Sequence, residues 1–98
     1  MAEPLTLINV FEVPEGEADQ FVAAWERTRD YLAAQPGYVE TALHQAVRPG
    51  TEFQFVNVAR WRTAEEFQTA IQSPGFGDLA AGLAGYRSHP GLYRVVRT

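Results

Sequence analysis

The sequence predicts an α+β fold of the ferredoxin-like kind, with the element order βαββαβ and two helices on one face of a four-stranded antiparallel sheet. Three observations predict it: a strand-like division of residues near the start of the chain, helical spacing in two later segments, and a turn that joins two strands in the middle. With 98 residues, 46% of them hydrophobic, the chain is expected to form one domain over residues 1–98.

The first strand and the first helix follow from a change of period near Pro14. Residues 5–13 divide into an apolar face and a mixed face, and Pro14 ends this strand. Apolar residues recur near helical spacing over residues 15–34, and acidic residues crowd the first turn, as the helix dipole favours. The pair Pro36 and Gly37 cannot continue a helix and leads into the next extended segment.

The middle of the chain is predicted to be a β-hairpin that runs into a second helix. Residues 38–47 and 52–61 form two strands, which the turn at 48–51 makes antiparallel neighbours. Thr63 and Glu66 form a capping box, in which each side chain satisfies a backbone donor of the other, and the helix covers residues 64–72. The segment 73–75 ends that helix. Residues 76–84 add a short helical piece, and residues 91–97 form the last strand.

Composition excludes several classes of protein. The net charge is −4 and the basic residues are scattered, so nucleic acid is not an expected partner. No apolar run reaches the roughly 18 residues of a membrane span, and the N-terminal residues show no basic stretch before an apolar one, so a cytoplasmic protein without a membrane partner is expected. The absence of cysteine excludes disulfides, thiol nucleophiles and cysteine-ligated metal sites.

The two asparagines of the chain, Asn9 and Asn57, are predicted to lie in mid-strand, where asparagine is depleted. Strand alternation places each on an apolar face that is expected to pack beneath the helices. An unpaired carboxamide there costs about 1–3 kcal/mol, so each needs a partner: the other carboxamide, a backbone group, a water or a ligand. With Trp61 on the same face they outline an apolar pocket with convergent donors, although hydrogen bonding within the core is an equal alternative at this point.

One segment carries a family resemblance. Residues 55–67, which read FVNVARWRTAEEF, resemble the central motif of the antibiotic biosynthesis monooxygenase family, and Pro36 to Val39 with Leu43 and His44 also match its pattern. The resemblance covers nearly the whole chain. It implies a dimeric α+β barrel, a homodimer in which each subunit keeps a cavity between sheet and helices. A small domain also gains from burying a sheet face against a second copy.

The resemblance also implies a function and a set of site residues. In family members that oxidise aromatic polyketide intermediates, residues at the positions of Asn9, Asn57 and Trp61 serve the reaction. This implies a monooxygenase or oxidase that acts with O2, without metal or other cofactor, on a small anthrone-like or phenolic molecule. Asn57 and Trp61 are expected to bind the oxyanion or peroxide and Asn9 to orient the substrate. The expected apolar walls of the substrate site are Phe21, Trp25, Phe55 and Phe67.

Two departures from the family keep another function open. Haem-degrading relatives bind iron through a histidine on the second helix, and residues 64–72 contain none, so haem degradation is not expected. Phe67 stands where some anthrone oxidases have a tyrosine, and no arginine falls between Arg62 and Arg87. The alternative is a non-catalytic dimeric barrel that binds a small hydrophobic ligand or assists a biosynthetic enzyme, or that binds haem through a displaced ligand such as His44.

The remaining titratable residues are assigned to structural roles. Strand alternation puts His44 on a face with Tyr38 and Glu40, which predicts a place in the dimer barrel or at a solvent edge rather than in the cavity. His44 with Glu40 makes an incomplete metal site, so no metal is expected. His89 is predicted to be a turn residue. Surface or core packing is favoured over proton donation for two tyrosines, Tyr31 and Tyr86.

Overall fold

A computed structural model describes residues 4–98, which contain one four-stranded antiparallel sheet and three helices. The strands are β1 (Leu5–Glu12), β2 (Tyr38–Gln45), β3 (Phe55–Trp61) and β4 (Arg87–Tyr93), and the helices are α1 (Ala18–Ala33), α2 (Ala64–Gln72) and α3 (Pro74–Ala81). The strand order is β2-β3-β1-β4. The predicted ferredoxin-like order is confirmed, and the short helical piece predicted at residues 76–84 is α3, which runs from Pro74 to Ala81. The expectation that no leader precedes the domain falls on residues 1–3, which lie outside the described residues.

The helices cover one face of the sheet, which we call the interior face. On β1 the interior residues Leu5, Leu7 and Phe11 are buried, while the residues between them keep partial exposure. Helical spacing buries Phe21 and Trp25 of α1 against this face, and α3 packs on both other helices. None of the helices within residues 4–98 is long and apolar enough to cross a bilayer.

The buried side chains form two separate clusters. The first contains Leu5, Leu7, Ala59, Trp61, Phe67 and Ala70. The second contains Phe11, Val13, Phe21, Trp25 and Phe55. Between them, the interior positions of the two central strands are occupied by Asn9 and Asn57, which pair directly across β1 and β3. The apolar core is therefore interrupted in the middle of the sheet.

The last strand starts four residues earlier than predicted. It covers residues 87–93, so the prediction that His89 is a turn residue is wrong, and residues 94–97 lie outside the strand that was predicted to include them. Proline is tolerated here because β4 is an edge strand that pairs only with β1 and has no ladder to complete on its other side. His89 instead lies beside Glu12, with its Nε2 atom 3.0 Å from the Glu12 Oε2 atom.

A β-bulge changes the face of Tyr38. The register between β2 and β3 shifts between Tyr38 and Glu40, so Tyr38 stands opposite Trp61 with ring centroids 5.7 Å apart. The predicted shared face of Tyr38 with Glu40 is therefore wrong, while Glu40 and His44 do lie on the outer face, opposite Arg60 and Val56. The β2–β3 connection is also longer than the predicted four-residue turn, because the two strands end at Gln45 and begin at Phe55.

Helix α2 begins where it was predicted to begin. The Thr63 hydroxyl accepts a hydrogen bond from the Glu66 backbone N–H at 3.0 Å, which is one half of the capping box. The Glu66 carboxylate accepts from the Arg62 guanidinium at 2.8 Å and from the Thr63 hydroxyl at 3.2 Å. Glu66 also packs against Gly37, whose carbonyl accepts from the Arg62 backbone N–H at 2.8 Å. The start of α2 is thus locked to the start of β2.

Gly37→Ala is expected to lower the free energy of unfolding by about 2–4 kcal/mol, because two costs add. Gly37 has a φ of +93°, which an L-residue rarely adopts, and an added Cβ would lie 2.5 Å from the Glu66 Cβ atom. Urea unfolding measures the loss. Gly50→Ala is the matched control, since its φ is +82° but nothing lies within 4 Å of the added atom. Equal losses at the two positions would contradict the crowding against Glu66.

Candidate functional site

A cavity of about 250 Å³ lies between the interior face and the helices, where the two core clusters separate. Its lining is mainly apolar and includes Asn9, Asn57 and Trp61. The direct pairing of Asn9 with Asn57 sets the two carboxamides side by side, and Trp61 follows four residues later on the same face of β3. The structure thus brings together the two amides and the indole that the sequence singles out.

The two asparagines are the least buried residues of their strands' interior faces. Asn9 is half-buried between buried Leu7 and Phe11, and Asn57 is half-buried between Phe55 and Ala59, which are 2% and 3% exposed. Both carboxamides lie against the cavity. A packed core would bury these central positions most deeply, so their exposure marks a true gap between sheet and helices.

The hydrogen bonds of the two carboxamides differ. Asn57 Oδ1 accepts from the Thr41 hydroxyl at 2.6 Å. Asn9 Oδ1 is buried and has no hydrogen-bond partner among the described residues. Leaving a buried oxygen without a hydrogen bond costs about 1–3 kcal/mol. A water or a ligand in the cavity that donates to Asn9 Oδ1 would remove this cost. The side-chain amides of Asn9 and Asn57 therefore do not hydrogen-bond to each other.

The four predicted wall residues divide between the cavity and the core. Trp25 and Phe67 line the cavity. Phe21 and Phe55 lie outside its lining, in the second core cluster, with their ring centroids 4.8 Å apart. Phe55 pairs with Phe11 at the opposite end of β3 from Trp61, with the asparagine pair between the two ends. The Phe55 ring packs there against Phe21 of α1. The structure therefore places these two phenylalanines in the core instead of the cavity wall.

Comparison with a family model decides the family. Residues 4–82 match the model described as antibiotic biosynthesis monooxygenase. The chain belongs to that family. The resemblance predicted from residues 55–67 is thereby confirmed, and the cavity with the two asparagines lies inside the matched range.

Proteins that are similar to this chain agree with its assignment to the family. Deoxynogalonate monooxygenase of Streptomyces nogalater is 32% identical over 99% of this chain and 80% of its own length. The crystal structure of SnoaB, a cofactor-independent oxygenase from Streptomyces nogalater, has a TM-score of 0.87 and 31% identity, covering 99% of this chain and 97% of that one. A candidate monooxygenase from Shewanella loihica PV-4 has a TM-score of 0.86 and 40% identity over 100% and 99% of the two chains. The chain is accordingly assigned as a monooxygenase of the family.

Several residues that line the cavity of this family member were not singled out from the sequence. Thr41 is the most important, because it binds Asn57 directly. The sequence could have indicated Thr41, because it lies two residues before Leu43 and strand alternation therefore puts both on the interior face of β2. Arg29 and Tyr38 also contribute to the lining. The Arg29 guanidinium carbon stands 5.4 Å from the Trp25 ring centroid, while its Nε atom donates to Asp30 at 2.8 Å.

The histidines lie outside the cavity. His44 is exposed on the outer face, with its Nδ1 atom 3.3 Å from the Val56 carbonyl oxygen, so the strand-alternation prediction for its face is confirmed. A haem held by His44 would therefore sit on the opposite side of the sheet from the cavity. Within residues 4–98, no three histidine, aspartate or glutamate side chains come together as a potential metal site.

The two tyrosines considered as proton donors, Tyr31 and Tyr86, make other contacts. The Tyr31 hydroxyl is 2.5 Å from the Ser73 hydroxyl. Tyr86 packs edge-on against Phe21, with ring centroids 5.1 Å apart. Desolvation, followed by repulsion from the Glu17 carboxylate, raises the pKa of Tyr86 above its ordinary value. Neither tyrosine lines the cavity.

Proposed function

We propose that the protein oxidises a small anthrone-like or phenolic compound with O2 in this cavity, without metal, flavin or other cofactor. The observation that carries the proposal is that Asn9, Asn57 and Trp61 border one mainly apolar cavity, where the buried Asn9 Oδ1 has no hydrogen-bond partner among residues 4–98. The description of SnoaB as cofactor-independent supports the absence of a cofactor. A volume of about 250 Å³ lies just below the common range of about 300–1,000 Å³, which favours a compact ligand over haem.

The proposed reaction on an anthrone converts a ring CH2 group and O2 into a ketone and water. Loss of one CH2 proton gives the anthrone anion, which passes one electron to O2. The resulting radical and superoxide combine through a new C–O bond and take up a proton to form a hydroperoxide. Loss of the second hydrogen from carbon, with cleavage of the O–O bond, releases water and leaves the C=O group.

The cavity residues contribute donors and shape to this sequence. The carboxamide of Asn57 and the indole N–H of Trp61 donate to the substrate oxyanion and then to the peroxide, and Asn9 orients the ring system. Trp61 is 1% exposed overall and lines the cavity. The lining, as far as residues 4–98 show it, holds no carboxylate or imidazole. The first proton therefore leaves to water, from a substrate whose own pKa these donors lower.

The direct test is turnover of dithranol, a dihydroxyanthrone, by the full chain. After dialysis against EDTA and without added flavin or metal, the protein is expected to accelerate O2 uptake above the spontaneous rate. With isotopically labelled O2, the new ketone oxygen is expected to carry the label. A rate equal to the spontaneous one, or a rate that appears only after a flavin or a metal is added, would contradict the proposal.

We also propose that the protein is a homodimer joined through the outer face of the sheet. This face carries a central apolar patch made of Ile8 and Val10 on β1 and Val56 and Val58 on β3, and Ile8 pairs with Val58 and Val10 with Val56. The helices pack on the opposite face, and the four side chains of the patch are partly exposed. A second copy of the same sheet would cover it, as the family resemblance implies.

Val58→Asp is expected to convert the dimer into a monomer, since a carboxylate in the centre of the patch would have to be buried without a partner. Light scattering after size exclusion measures the mass. Val47→Asp is the control, because Val47 is 96% exposed in the β2–β3 connection and should leave the mass unchanged. A wild-type monomer, or a Val58→Asp variant that keeps the dimer mass, would overturn this interface.

A further inference from the structure

Thr41 makes the shortest polar contact with a residue of the candidate site. It lies on the interior face of β2, opposite Ala59 and next to Leu43, which pairs with Asn57. Its hydroxyl is 2.6 Å from Asn57 Oδ1 and 3.5 Å from the Val58 carbonyl oxygen. A hydroxyl has one proton to donate, so the shorter contact to Asn57 takes it.

This hydrogen bond gives the Asn57 carboxamide a direction. A primary amide has an acceptor end and a donor end of nearly equal shape, and a half-turn about its last torsion exchanges them. Thr41 holds the oxygen end on the side of β2. The NH2 end then faces β1 and Asn9, and both asparagines line the cavity.

We propose that Thr41 is a positioning residue that makes Asn57 a hydrogen-bond donor toward the cavity, so that the site selects an acceptor oxygen of its ligand, a carbonyl or an oxyanion. The inference rests on the proposed function, which it deepens. Thr41 is not among the residues on which the family resemblance depends, and it touches no reacting atom itself.

The kinetic test compares Thr41→Val, which keeps the shape but loses the hydroxyl, with Thr41→Ser, which keeps the hydroxyl. With dithranol, Thr41→Val is expected to lower kcat about 10-fold with KM changed less than about 3-fold, because the donor acts most on charge that develops during reaction. Thr41→Ser is expected to stay within about 3-fold of wild type in kcat. In an Asn57→Ala background, Thr41→Val is expected to cause no further loss.

A second readout does not require turnover. The chain has only two asparagines, so selective nitrogen-15 labelling of asparagine gives two side-chain NH2 signals, and Asn57→Ala identifies one of them. Thr41→Val is expected to shift the Asn57 signal, whereas Thr41→Ser leaves it near its wild-type position. If the valine side chain disturbs the packing of the sheet, Thr41→Ala replaces Thr41→Val as the variant that lacks the hydroxyl.

The two readouts separate the possible failures. If wild-type protein does not oxidise dithranol while the Asn57 signal still responds to Thr41→Val, the proposed function fails and the positioning contact stands. If Thr41→Val leaves both kcat and the Asn57 signal within error of wild type, Thr41 does not orient Asn57. A loss of the same size in the Asn57→Ala background would also overturn the proposal, because it would show that Thr41 acts by another route.

Discussion

Asn57→Asp is expected to lower kcat/KM for dithranol oxidation by about 100- to 1,000-fold while the protein stays folded. The introduced carboxylate has the same shape and still accepts from the Thr41 hydroxyl, which bonds the present oxygen at 2.6 Å. It replaces the NH2 group that faces the cavity with a negative oxygen. Repulsion of the substrate oxyanion would then take the place of its stabilisation, so both the ionisation of the substrate and the stability of the peroxide would suffer. Initial rates of O2 uptake measure the effect.

The matched control for this substitution is Gln68→Glu, the same chemical change at an exposed position of α2. It is expected to leave kcat/KM unchanged. Circular dichroism and urea unfolding establish that both variants are folded. If Asn57→Asp retains more than about a tenth of the wild-type kcat/KM, Asn57 does not act as a donor to the reacting oxygen, since the loss of such a donor costs about 100-fold or more.

The assignment of faces to strands could be predicted from the sequence because side chains in a strand alternate with a period of two. This rule placed Asn9, Asn57 and Trp61 on one face, and the structure places all three along the cavity. The bounds of α2 were predictable because Thr63 and Ser73 flank a helical pattern on both sides. The same alternation rule also put His44 on the outer face.

Features that depend on contacts between distant segments could not be predicted in this way. The bulge at Tyr38 breaks the alternation that the prediction assumed, and only the pairing of β2 with β3 reveals it. Pro90 resembles a turn residue until β4 is known to be an edge strand. Phe21 and Phe55 were assigned to the correct side of the sheet, yet periodicity does not say which end of α1 lies over which end of β3. That offset decides which aromatic rings fill the core and which line the cavity.

Asn9→Leu is expected to stabilise the protein and inactivate it. Leucine branches at the same atom as asparagine, so it fits the same space, and it removes the buried Oδ1 that has no partner among the described residues. It also extends the apolar surface between the two core clusters. Together these effects should raise the free energy of unfolding by about 1–3 kcal/mol. Loss of the orienting amide should lower kcat/KM about 100-fold.

Asn9→Ala separates the two effects, because it removes the amide without filling the gap. It is expected to lose activity to a similar degree but to gain less stability than Asn9→Leu, since the larger cavity offsets the removal of the unpaired oxygen. Thermal and urea unfolding, together with O2 uptake on dithranol, measure both quantities on the same preparations. A gain in stability with a loss of turnover would mean that the unpaired amide is retained for function against a gain in stability. A less stable Asn9→Leu variant that still oxidises dithranol would place Asn9 among the ordinary polar groups of the core.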